Sequence, residues 1–434
     1  MRYFSTRKGS PEVSFKEALL RGLAPDGGLY LPREIPRLPD AFFQNLKGKT
    51  LPEIGYTVAR QFVGEEIGDN DLQALVEDVF SFDIPLVDVS PGIQTLELFH
   101  GPTMSFKDVG ARFMARCIAH LDKGSDRGVT VLVATSGDTG SAVANGFWGV
   151  EGINVVILYP SGKVSHIQEQ QLTTMGGNVV ALEVDGVFDD CQALVKQAFG
   201  DRELTDGLRL TSANSINIGR LIPQSFYYFY ALAQREDPLA PVAICVPSGN
   251  FGNLTAGLMA QRMGLPVTRF IAATNANDIV PHYLETGEYR PRASQKTLSN
   301  AMDVGKPSNF ERMLSLFRDS VDAMREEISG FHYTDQETMI AVGRVMEAYS
   351  YQLDPHGAIG FLGVRDLQKE QSLPGIFLET AHPAKFADVI ESELGTQVDL
   401  PSKLAVLLDK QKESVPIGVD YPAFKEFLQN KFGA

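Results

Sequence analysis

From about residue 90 onward, short apolar runs alternate with segments whose apolar residues repeat at helical spacing. The runs Val129–Ala134 and Val242–Val246 are almost wholly apolar, and each is followed by residues rich in glycine and small polar side chains. Strands this short and this apolar are typical of parallel sheets that carry helices on both faces. The sequence therefore predicts an α/β fold in which ligands bind at the loops that leave the carboxyl ends of the strands.

The alternation also divides the chain, which at 434 residues is too long for one compact core. We expect a mostly helical N-terminal segment over residues 1–85, a parallel-sheet α/β region of two subdomains with a crevice between them over residues 86–390, and a helical C-terminal tail over residues 391–434. Residues 300–371 are predicted to be mainly helical. The predicted strands are Gln94–Phe99, Val129–Ala134, Val155–Tyr159, Val179–Val184, Val242–Val246, Phe270–Ala273 and Gly375–Glu379. The predicted helices include Ser14–Leu23, Ala142–Phe147, His166–Thr174, Cys191–Phe199, Leu221–Ala233 and Leu254–Gln261.

Composition narrows the range of partners. Fifty-four acidic residues against 39 basic ones give a net charge of −15, which disfavours nucleic acids and anionic membranes as partners. No apolar run resembles a secretory signal in the first twenty residues or reaches the roughly 18 residues of a membrane-spanning helix. Three cysteines without a CxxC pair argue against a disulfide scaffold and favour a reducing cytoplasm. An anionic substrate would need local basic groups to overcome the acidic surface.

The loop His100–Gly110 places Lys107 at the start of a predicted helix. Ser105 and Asp108 have the S-x-x-D spacing of a capping box, which predicts that this helix begins near Phe106. A lysine in the first turn opposes the helix dipole, and partial burial would lower its pKa further. A lysine with a lowered pKa is a candidate for imine formation, because the neutral amine is the nucleophile. The alternative is a solvated surface lysine.

The loop Ala134–Ser141 again lies between a predicted strand and a predicted helix. Its small residues let backbone N–H groups approach a ligand, and its hydroxyl groups supply adjustable donors. The alternative is that Ser136, Asp138 or Thr139 merely caps the following helix.

Two further loops occupy the same kind of position. In Pro247–Asn253, two glycines at a helix start favour an anion site formed by backbone donors and the positive end of the helix dipole. The loop Glu379–Lys385 leaves a late strand, and its polar groups are expected to face the same crevice. The sequence contains no H-E-x-x-H zinc motif, nucleophile elbow, P-loop or dinucleotide fingerprint. One lysine at a helix start, a phosphate loop and hydroxyl-rich strand ends together indicate a phosphorylated carbonyl cofactor.

Four segments carry a resemblance to a known family. They are Gly22–Pro32, Pro102–Asp108, Ser299–Gly305 and Pro307–Asn309. With them the chain resembles, over nearly its whole length, the threonine synthases of bacterial and fungal type, which are fold-type-II pyridoxal-phosphate enzymes. The resemblance implies that pyridoxal 5'-phosphate is held as a Schiff base on Lys107.

The resemblance also implies roles for residues in the four loops. Residues implied to wrap the cofactor phosphate are Gly249, Asn250, Phe251, Gly252 and Asn253. Thr380 would lie opposite the pyridine nitrogen, and Asp138, where many fold-type-II relatives carry asparagine, would contact the phenolic oxygen. Residues implied to bind the substrate are Thr135, Ser136, Thr139, Asn214, Ser215 and Arg220. Arg220 would grip the substrate phosphate with both arms of its guanidinium; the alternative is an arginine on a helix surface.

The implied reaction converts O-phospho-L-homoserine and water to L-threonine and phosphate, by γ-elimination and then β-addition of water. This is the last step of threonine biosynthesis, and we expect it in the cytoplasm, in a monomer or small homo-oligomer. One rival is a related pyridoxal-phosphate lyase that acts on serine or threonine and would release ammonia. Another is a non-catalytic protein that binds a phosphorylated metabolite on the same sheet.

Overall fold

The computed structural model describes residues 1–433, which form two large sheets, one small antiparallel strand pair and the helices around them. The strands are β1 (Tyr3–Ser5), β2 (Tyr30–Pro32), β3 (Leu86–Ser90), β4 (Ile93–Glu97), β5 (Val129–Ala134), β6 (Ile153–Pro160), β7 (Val179–Val184), β8 (Leu210–Ser212), β9 (Ala243–Pro247), β10 (Arg269–Thr274), β11 (Ile328–His332), β12 (Gly375–Glu379) and β13 (Val415–Ile417). The first ten α-helices are α1 (Phe15–Arg21), α2 (Asp40–Gln44), α3 (Leu51–Val63), α4 (Asp69–Val79), α5 (Lys107–Leu121), α6 (Asp138–Phe147), α7 (His166–Thr173), α8 (Phe188–Gly200), α9 (Arg202–Leu208) and α10 (Ile218–Leu221). The others are α11 (Phe226–Ala233), α12 (Gly252–Arg262), α13 (Ile279–Thr286), α14 (Phe310–Leu316), α15 (Val321–Glu327), α16 (Asp335–Tyr349), α17 (Pro355–Glu370), α18 (Ala387–Leu394), α19 (Ser402–Leu408) and α20 (Tyr421–Phe432). Short 3₁₀ helices lie at Ile222–Ser225, Asn300–Met302 and Pro383–Phe386.

The two large sheets are almost entirely parallel, as the sequence predicts. The six-stranded sheet has the order β11-β10-β9-β12-β4-β3, and only the pairing of β3 with β4 is antiparallel. The five-stranded sheet has the order β13-β7-β6-β5-β8, with every pairing parallel. Because the carboxyl ends of parallel strands meet at one edge of a sheet, the loops after β4, β9 and β12 meet at one edge, and those after β5 and β8 meet at another.

The apolar runs form strands because helices cover them. Every residue of β5, β9 and β12 is buried. Helix α17 covers part of the six-stranded sheet, where a Cβ atom on Gly363 would lie 2.7 Å from the Cys245 sulfur. Helix α12 is buried around almost its whole circumference, which requires small residues at its contacts: a Cβ on Gly257 would lie 2.8 Å from the Tyr228 ring. The Tyr228 hydroxyl donates to the Asn253 carbonyl (2.7 Å), which fixes the start of α12.

Three features of the fold depart from the sequence prediction. Strand β11 lies in the region predicted to be mainly helical; it is a sheet edge with a central glycine and mostly half-exposed residues, so it has no strong apolar pattern. Strand β13 lies in the tail predicted to be helical, and it is also an edge strand. The single helix predicted over Leu221–Ala233 is broken by the 3₁₀ turn that contains Pro223.

The N-terminal segment combines α1–α4 with the β1–β2 pair and is joined to the α/β region by a buried arginine. Arg312 is fully buried, and its guanidinium donates to the carbonyl oxygens of Tyr30 (2.9 and 3.0 Å) and Ile216 (2.7 Å). Across residues 1–433, no helix combines the length and apolar character needed to cross a lipid bilayer.

Candidate active site

Helix α5 begins at Lys107, which confirms that this lysine lies in the first turn. The predicted capping box is wrong. No side chain caps α5, and the buried Ser105 hydroxyl has no hydrogen-bond partner. The Asp108 carboxylate instead accepts two hydrogen bonds from Thr103, one from the Thr103 backbone N–H (2.9 Å) and one from the Thr103 hydroxyl (2.6 Å). This pair of bonds, rather than a cap, fixes the turn that presents Lys107.

The Lys107 amine lies among charged groups that are withdrawn from bulk water. Burial lowers the pKa of Lys107 to about 8; the carboxylate of Asp138 opposes this shift, while the cationic groups of Lys385 and Arg220 add to it. An amine with this pKa is still mostly protonated at pH 7, but its neutral fraction is far larger than that of an ordinary lysine, and the neutral form is the one that attacks a carbonyl. The alternative of a solvated surface lysine does not describe this environment.

Asp138 is ionised inside the site because two ammonium groups face it. Burial alone would raise the pKa of this carboxyl, but the charges of Lys385 and Lys107 hold it well below its usual range. The Lys385 Nζ atom lies 2.6 Å from Asp138 Oδ1, and the Gln168 side chain donates to the same oxygen (2.9 Å). Asp138 is therefore present in the site as the anion of a buried ion pair with Lys385.

The loop before α6 is closed by its own backbone and by Thr135. The Thr135 hydroxyl accepts hydrogen bonds from the N–H groups of Gly137 and Gly140, each at 2.9 Å. Gly137 precedes α6 with φ 139°, a conformation that favours glycine, and since glycine has no side chain the Thr135 hydroxyl supplies the acceptor for a first-turn N–H of the helix. The alternative that Ser136, Asp138 or Thr139 caps the helix is therefore wrong.

Two hydroxyl groups of this loop are left for a ligand. Among residues 1–433, the half-buried Ser136 and Thr139 side chains have no hydrogen-bond partner. The Asn214 side chain donates to the Ala134 carbonyl (2.9 Å), so the loop after β8 lies against the end of β5. The structure thus brings these predicted substrate residues together at the carboxyl edge of the five-stranded sheet.

The loop before α12 forms a set of free backbone donors. Phe251 has the left-handed conformation (φ 59°) and turns the chain into α12, which begins at Gly252. In the part of the chain that the structure describes, no protein acceptor is found for the N–H groups of Asn250, Phe251, Gly252 and Asn253. Unpaired N–H groups at the start of an 11-residue helix form an anion site.

Three side-chain contacts shape this loop. The Asn253 side chain accepts from the Ser248 hydroxyl (2.8 Å) and donates to the Pro247 carbonyl (2.9 Å), so it folds the loop rather than facing a ligand. The Asn250 side chain donates to the Ser215 hydroxyl (2.6 Å). Ser215 precedes α10, so the loop before α12 lies against the loop that leads to Arg220.

Arg220 is a buried cation without an acidic partner. It is 3% exposed, so the alternative of a helix-surface arginine is wrong. Its guanidinium donates to the Ala213 carbonyl, while Nε has no hydrogen-bond partner among the described residues. Burial lowers its pKa to about 10, with the charge of Asp108 opposing the shift. A buried guanidinium in this state favours an anionic ligand, because an unpaired buried charge is costly.

Gly110 and Thr380 connect these groups to the Lys107 segment. A Cβ atom on Gly110 would lie 2.8 Å from Arg220 Nε, so glycine on α5 lets the guanidinium lie against the lysine helix. Thr380 follows β12, is 7% exposed, and accepts the Phe106 N–H with its carbonyl (2.9 Å). Thr380 thus lies at the carboxyl end of one of the two central strands of the six-stranded sheet.

Sequence reasoning missed two side chains of the site. Lys385 lies in a loop that was expected to face the crevice, yet nothing in its local pattern distinguishes it from a surface lysine. Gln168 lies on α7, and its contact with Asp138 follows only from the packing of α7 on α6. Within residues 1–433 no cluster of three or more histidine, cysteine or acidic residues has the geometry to hold a metal ion.

Known proteins match this chain over its whole length. Family models match as "Pyridoxal-phosphate dependent enzyme" over residues 95–376, "Threonine synthase N terminus" over 2–80 and "Threonine synthase, C-terminal" over 357–428. The threonine synthase of Escherichia coli strain K12 is 43% identical over 431 residues, covering 99% of this chain and 100% of that protein. The chain belongs to the threonine synthase family. A crystal structure of pyridoxal-phosphate-bound threonine synthase from Brucella melitensis has a TM-score of 0.94 at 38% identity and covers 100% of both chains. The threonine synthase of Haemophilus influenzae is 46% identical over 93% of this chain and 94% of its own.

Membership of this family confirms the predicted fold, cofactor and enzyme class: the chain has the fold-type-II architecture and is a pyridoxal-phosphate-dependent lyase with threonine synthase activity. The site fits the cofactor. Lys107 offers an amine with a lowered pKa, and the start of α12 offers unpaired N–H groups to a phosphate. A Cβ atom placed on Gly252 would have no protein heavy atom closer than 3.4 Å, so packing within the protein does not by itself require glycine at this position.

Proposed function

We propose that the crevice around Lys107 converts O-phospho-L-homoserine and water to L-threonine and inorganic phosphate. The observation that carries this proposal is the presence of two separate anion sites, of which one, Arg220, faces Lys107. The N–H groups at the start of α12 suit the phosphate of the cofactor. The buried guanidinium of Arg220 is a second site, and it suits a substrate that carries its own phosphate.

Each loop then has a distinct part in binding the cofactor. Lys107 would hold it covalently, and the backbone of residues 249–253 would bind its phosphate, with the Asn253 side chain keeping that loop in shape. The Thr380 hydroxyl would contact the pyridine nitrogen, and a hydroxyl there, unlike a carboxylate, would leave that nitrogen largely unprotonated. Asp138 would contact the phenolic oxygen together with Lys385, whose ammonium would offset the repulsion between a carboxylate and a phenolate.

The substrate is bound by the loops after β5 and β8. The free hydroxyls of Ser136 and Thr139, at the start of α6, suit the substrate carboxylate, while Thr135 closes the loop beneath them. Asn214 and Ser215 lie on the segment that leads to Arg220. The Arg220 guanidinium is aimed at the phosphate ester, whose oxygens gain charge as the bond to Cγ breaks.

Lys107 is the residue that moves protons. The bound cofactor supplies an electron sink for the carbanions formed during the reaction. With the substrate bound, the Lys107 amine would remove protons from Cα and Cβ, return a proton to Cγ, and return a proton to Cα once water has added at Cβ. Arg220 holds the phosphate as it leaves Cγ with the bonding electron pair, and water then supplies the hydroxyl at Cβ.

Two rival activities make different predictions. A serine or threonine lyase would release ammonia and a 2-oxo acid, and it has no use for a second phosphate site. A non-catalytic metabolite sensor would bind ligand without turnover. Incubation of the purified protein with O-phospho-L-homoserine, followed by assays for phosphate, threonine and ammonia, separates all three. We expect phosphate and threonine; ammonia without threonine would favour the lyase.

We also propose that the protein acts in the cytoplasm on this small molecule, as a monomer or small homo-oligomer. Support comes from Cys117, Cys191 and Cys245, which are buried free thiols, since unpaired cysteines are typical of a reducing compartment. The net charge of −15 disfavours nucleic acids and anionic membranes as partners. Cell fractionation, with size-exclusion chromatography and light scattering, tests location and oligomeric state.

A further inference from the structure

Lys385 joins the two sheets across the crevice. It lies in the 3₁₀ helix Pro383–Phe386, which follows β12 of the six-stranded sheet, whereas Asp138 begins α6 after β5 of the five-stranded sheet. The side chains of Lys385 and Asp138 are 0% and 4% exposed, and their charged atoms are 2.6 Å apart. A pair this well buried and this close has a fixed geometry rather than that of a mobile surface contact.

The same ammonium also contacts the turn that presents Lys107. Lys385 Nζ donates to the Thr103 carbonyl (3.0 Å), and the Gln171 side chain donates to that carbonyl as well (3.1 Å). Thr103 in turn holds Asp108, the residue next to Lys107, through two hydrogen bonds. Lys385 thus contacts both the carboxylate that faces Lys107 and the loop that carries it.

The amines of Lys385 and Lys107 both face the carboxylate of Asp138. The charged groups facing Lys107 are Asp138 at the start of α6, Lys385 after β12 and Arg220 on α10. Asp138 is the sole anion among these three, and an ion pair with it would hold Lys107 as an ammonium, which cannot attack a carbonyl. Lys385 already occupies the Asp138 oxygen Oδ1, which Gln168 shares.

We propose that Lys385 is a positioning residue that pairs with the Asp138 carboxylate, so that Lys107 stays unpaired and loses its proton more readily to give the neutral amine that captures the cofactor. The proposal rests on the proposed role of Lys107. Lys385 needs no contact with the substrate for this role. Its effect is electrostatic: its ion pair with Asp138 offsets the negative charge that faces Lys107, and its own positive charge disfavours the protonated form of Lys107.

The test measures the ionisation of Lys107 directly, without turnover. Full-length protein freed of cofactor is treated with an amine-acylating reagent over a pH series that brackets the ordinary lysine pKa, and acylation of Lys107 is quantified by peptide mass spectrometry. In Lys385→Met, whose side chain is similar in length but uncharged, the pH midpoint of Lys107 acylation should rise by about one to two pH units. Lys385→Arg should keep most of the wild-type midpoint, since the charge remains.

A second variant separates this electrostatic role from a merely structural one. Lys385→Met/Asp138→Asn removes both charges, so the midpoint should return toward the wild-type value. Lys403→Met is the matched control, because Lys403 is an exposed lysine that donates to the His100 carbonyl (3.1 Å) of the same loop, and its midpoint should not change.

The outcomes are distinguishable from failure of the proposed function. An unchanged midpoint in Lys385→Met, or an equal rise in the double variant, would overturn the inference. If neither variant folded, Lys385 would be assigned to stability and the inference would also fall. If borohydride fixed no pyridoxyl group on Lys107 in the wild-type protein, the proposed function itself would fail first.

Discussion

Gly249 lies directly against the backbone of Met302: a Cβ atom built on Gly249 would be 2.7 Å from Met302 Cα and 3.0 Å from the Ala301 carbonyl oxygen. Backbone atoms cannot yield as the end of a side chain can, so packing within the protein requires glycine at this position of the loop before α12. Gly249→Ala should therefore destabilise the fold by about 1–3 kcal/mol. Urea unfolding of the cofactor-free protein measures this cost. A free energy of unfolding equal to that of the wild type would show that the Ser299–Gly305 segment does not pack here.

Gly252 differs, because the nearest heavy atom to its built Cβ, Nδ2 of Asn309, is 3.4 Å away. Gly252→Asp should leave a folded protein, but it places a negative charge where the α12 N–H groups are free for a phosphate. We expect much weaker binding of pyridoxal 5'-phosphate, measured by absorbance titration. Gly418→Asp is the control, since Gly418 is exposed with no atom near its built Cβ, and it should bind the cofactor normally. Normal binding by Gly252→Asp would place the cofactor phosphate elsewhere.

The sequence predicts the chemistry of these loops better than their internal contacts. The strands β5, β7 and β12 have the predicted ends, because their apolar runs are bounded by turns; β5 and β12 are buried throughout, whereas Val180 and Glu183 of β7 are half-buried. Edge strands such as β11 carry no such pattern, since half of their surface faces solvent, and their pairing depends on neighbours distant in sequence.

The same distinction applies within the site. Lys107 and the glycines before α12 follow from local spacing, but the S-x-x-D pattern at Ser105 misleads. Asp108 can bond either to the residue that would cap α5 or to Thr103, and only tertiary packing decides in favour of Thr103. The role of Lys385 could not be predicted for the same reason: its partner Asp138 is 247 positions away in the sequence and begins the helix that follows a strand of the other sheet.

Substitution of Arg220 tests substrate binding independently of cofactor binding. Arg220→Ala should keep the yellow colour of the bound cofactor, because Arg220 is proposed to hold the phosphate of the substrate. Loss of a charge-assisted contact costs about 1.5–3 kcal/mol, which is roughly ten- to a hundredfold in kcat/KM. Arg220→Lys should recover only part of the loss, since a point charge does not reproduce the guanidinium fork. Steady-state phosphate release gives kcat/KM; a bleached cofactor band in Arg220→Ala would instead assign Arg220 to the cofactor site.

Capture of the cofactor should depend on pH through Lys107. Below its pKa of about 8 the amine is mostly protonated and cannot attack, so the rate at which cofactor-free protein binds pyridoxal 5'-phosphate covalently should rise as pH passes through that value. Stopped-flow absorbance at a series of pH values measures it. A midpoint at the ordinary lysine pKa would mean that Lys107 is solvated in the cofactor-free protein.

The most direct test of the whole account is the product balance of the purified protein with O-phospho-L-homoserine, beside Lys107→Ala. The account predicts that the wild type forms L-threonine and phosphate in equal amounts without ammonia, and that Lys107→Ala forms neither. Ammonia with a 2-oxo acid in place of threonine, or an undiminished rate in Lys107→Ala, would contradict it.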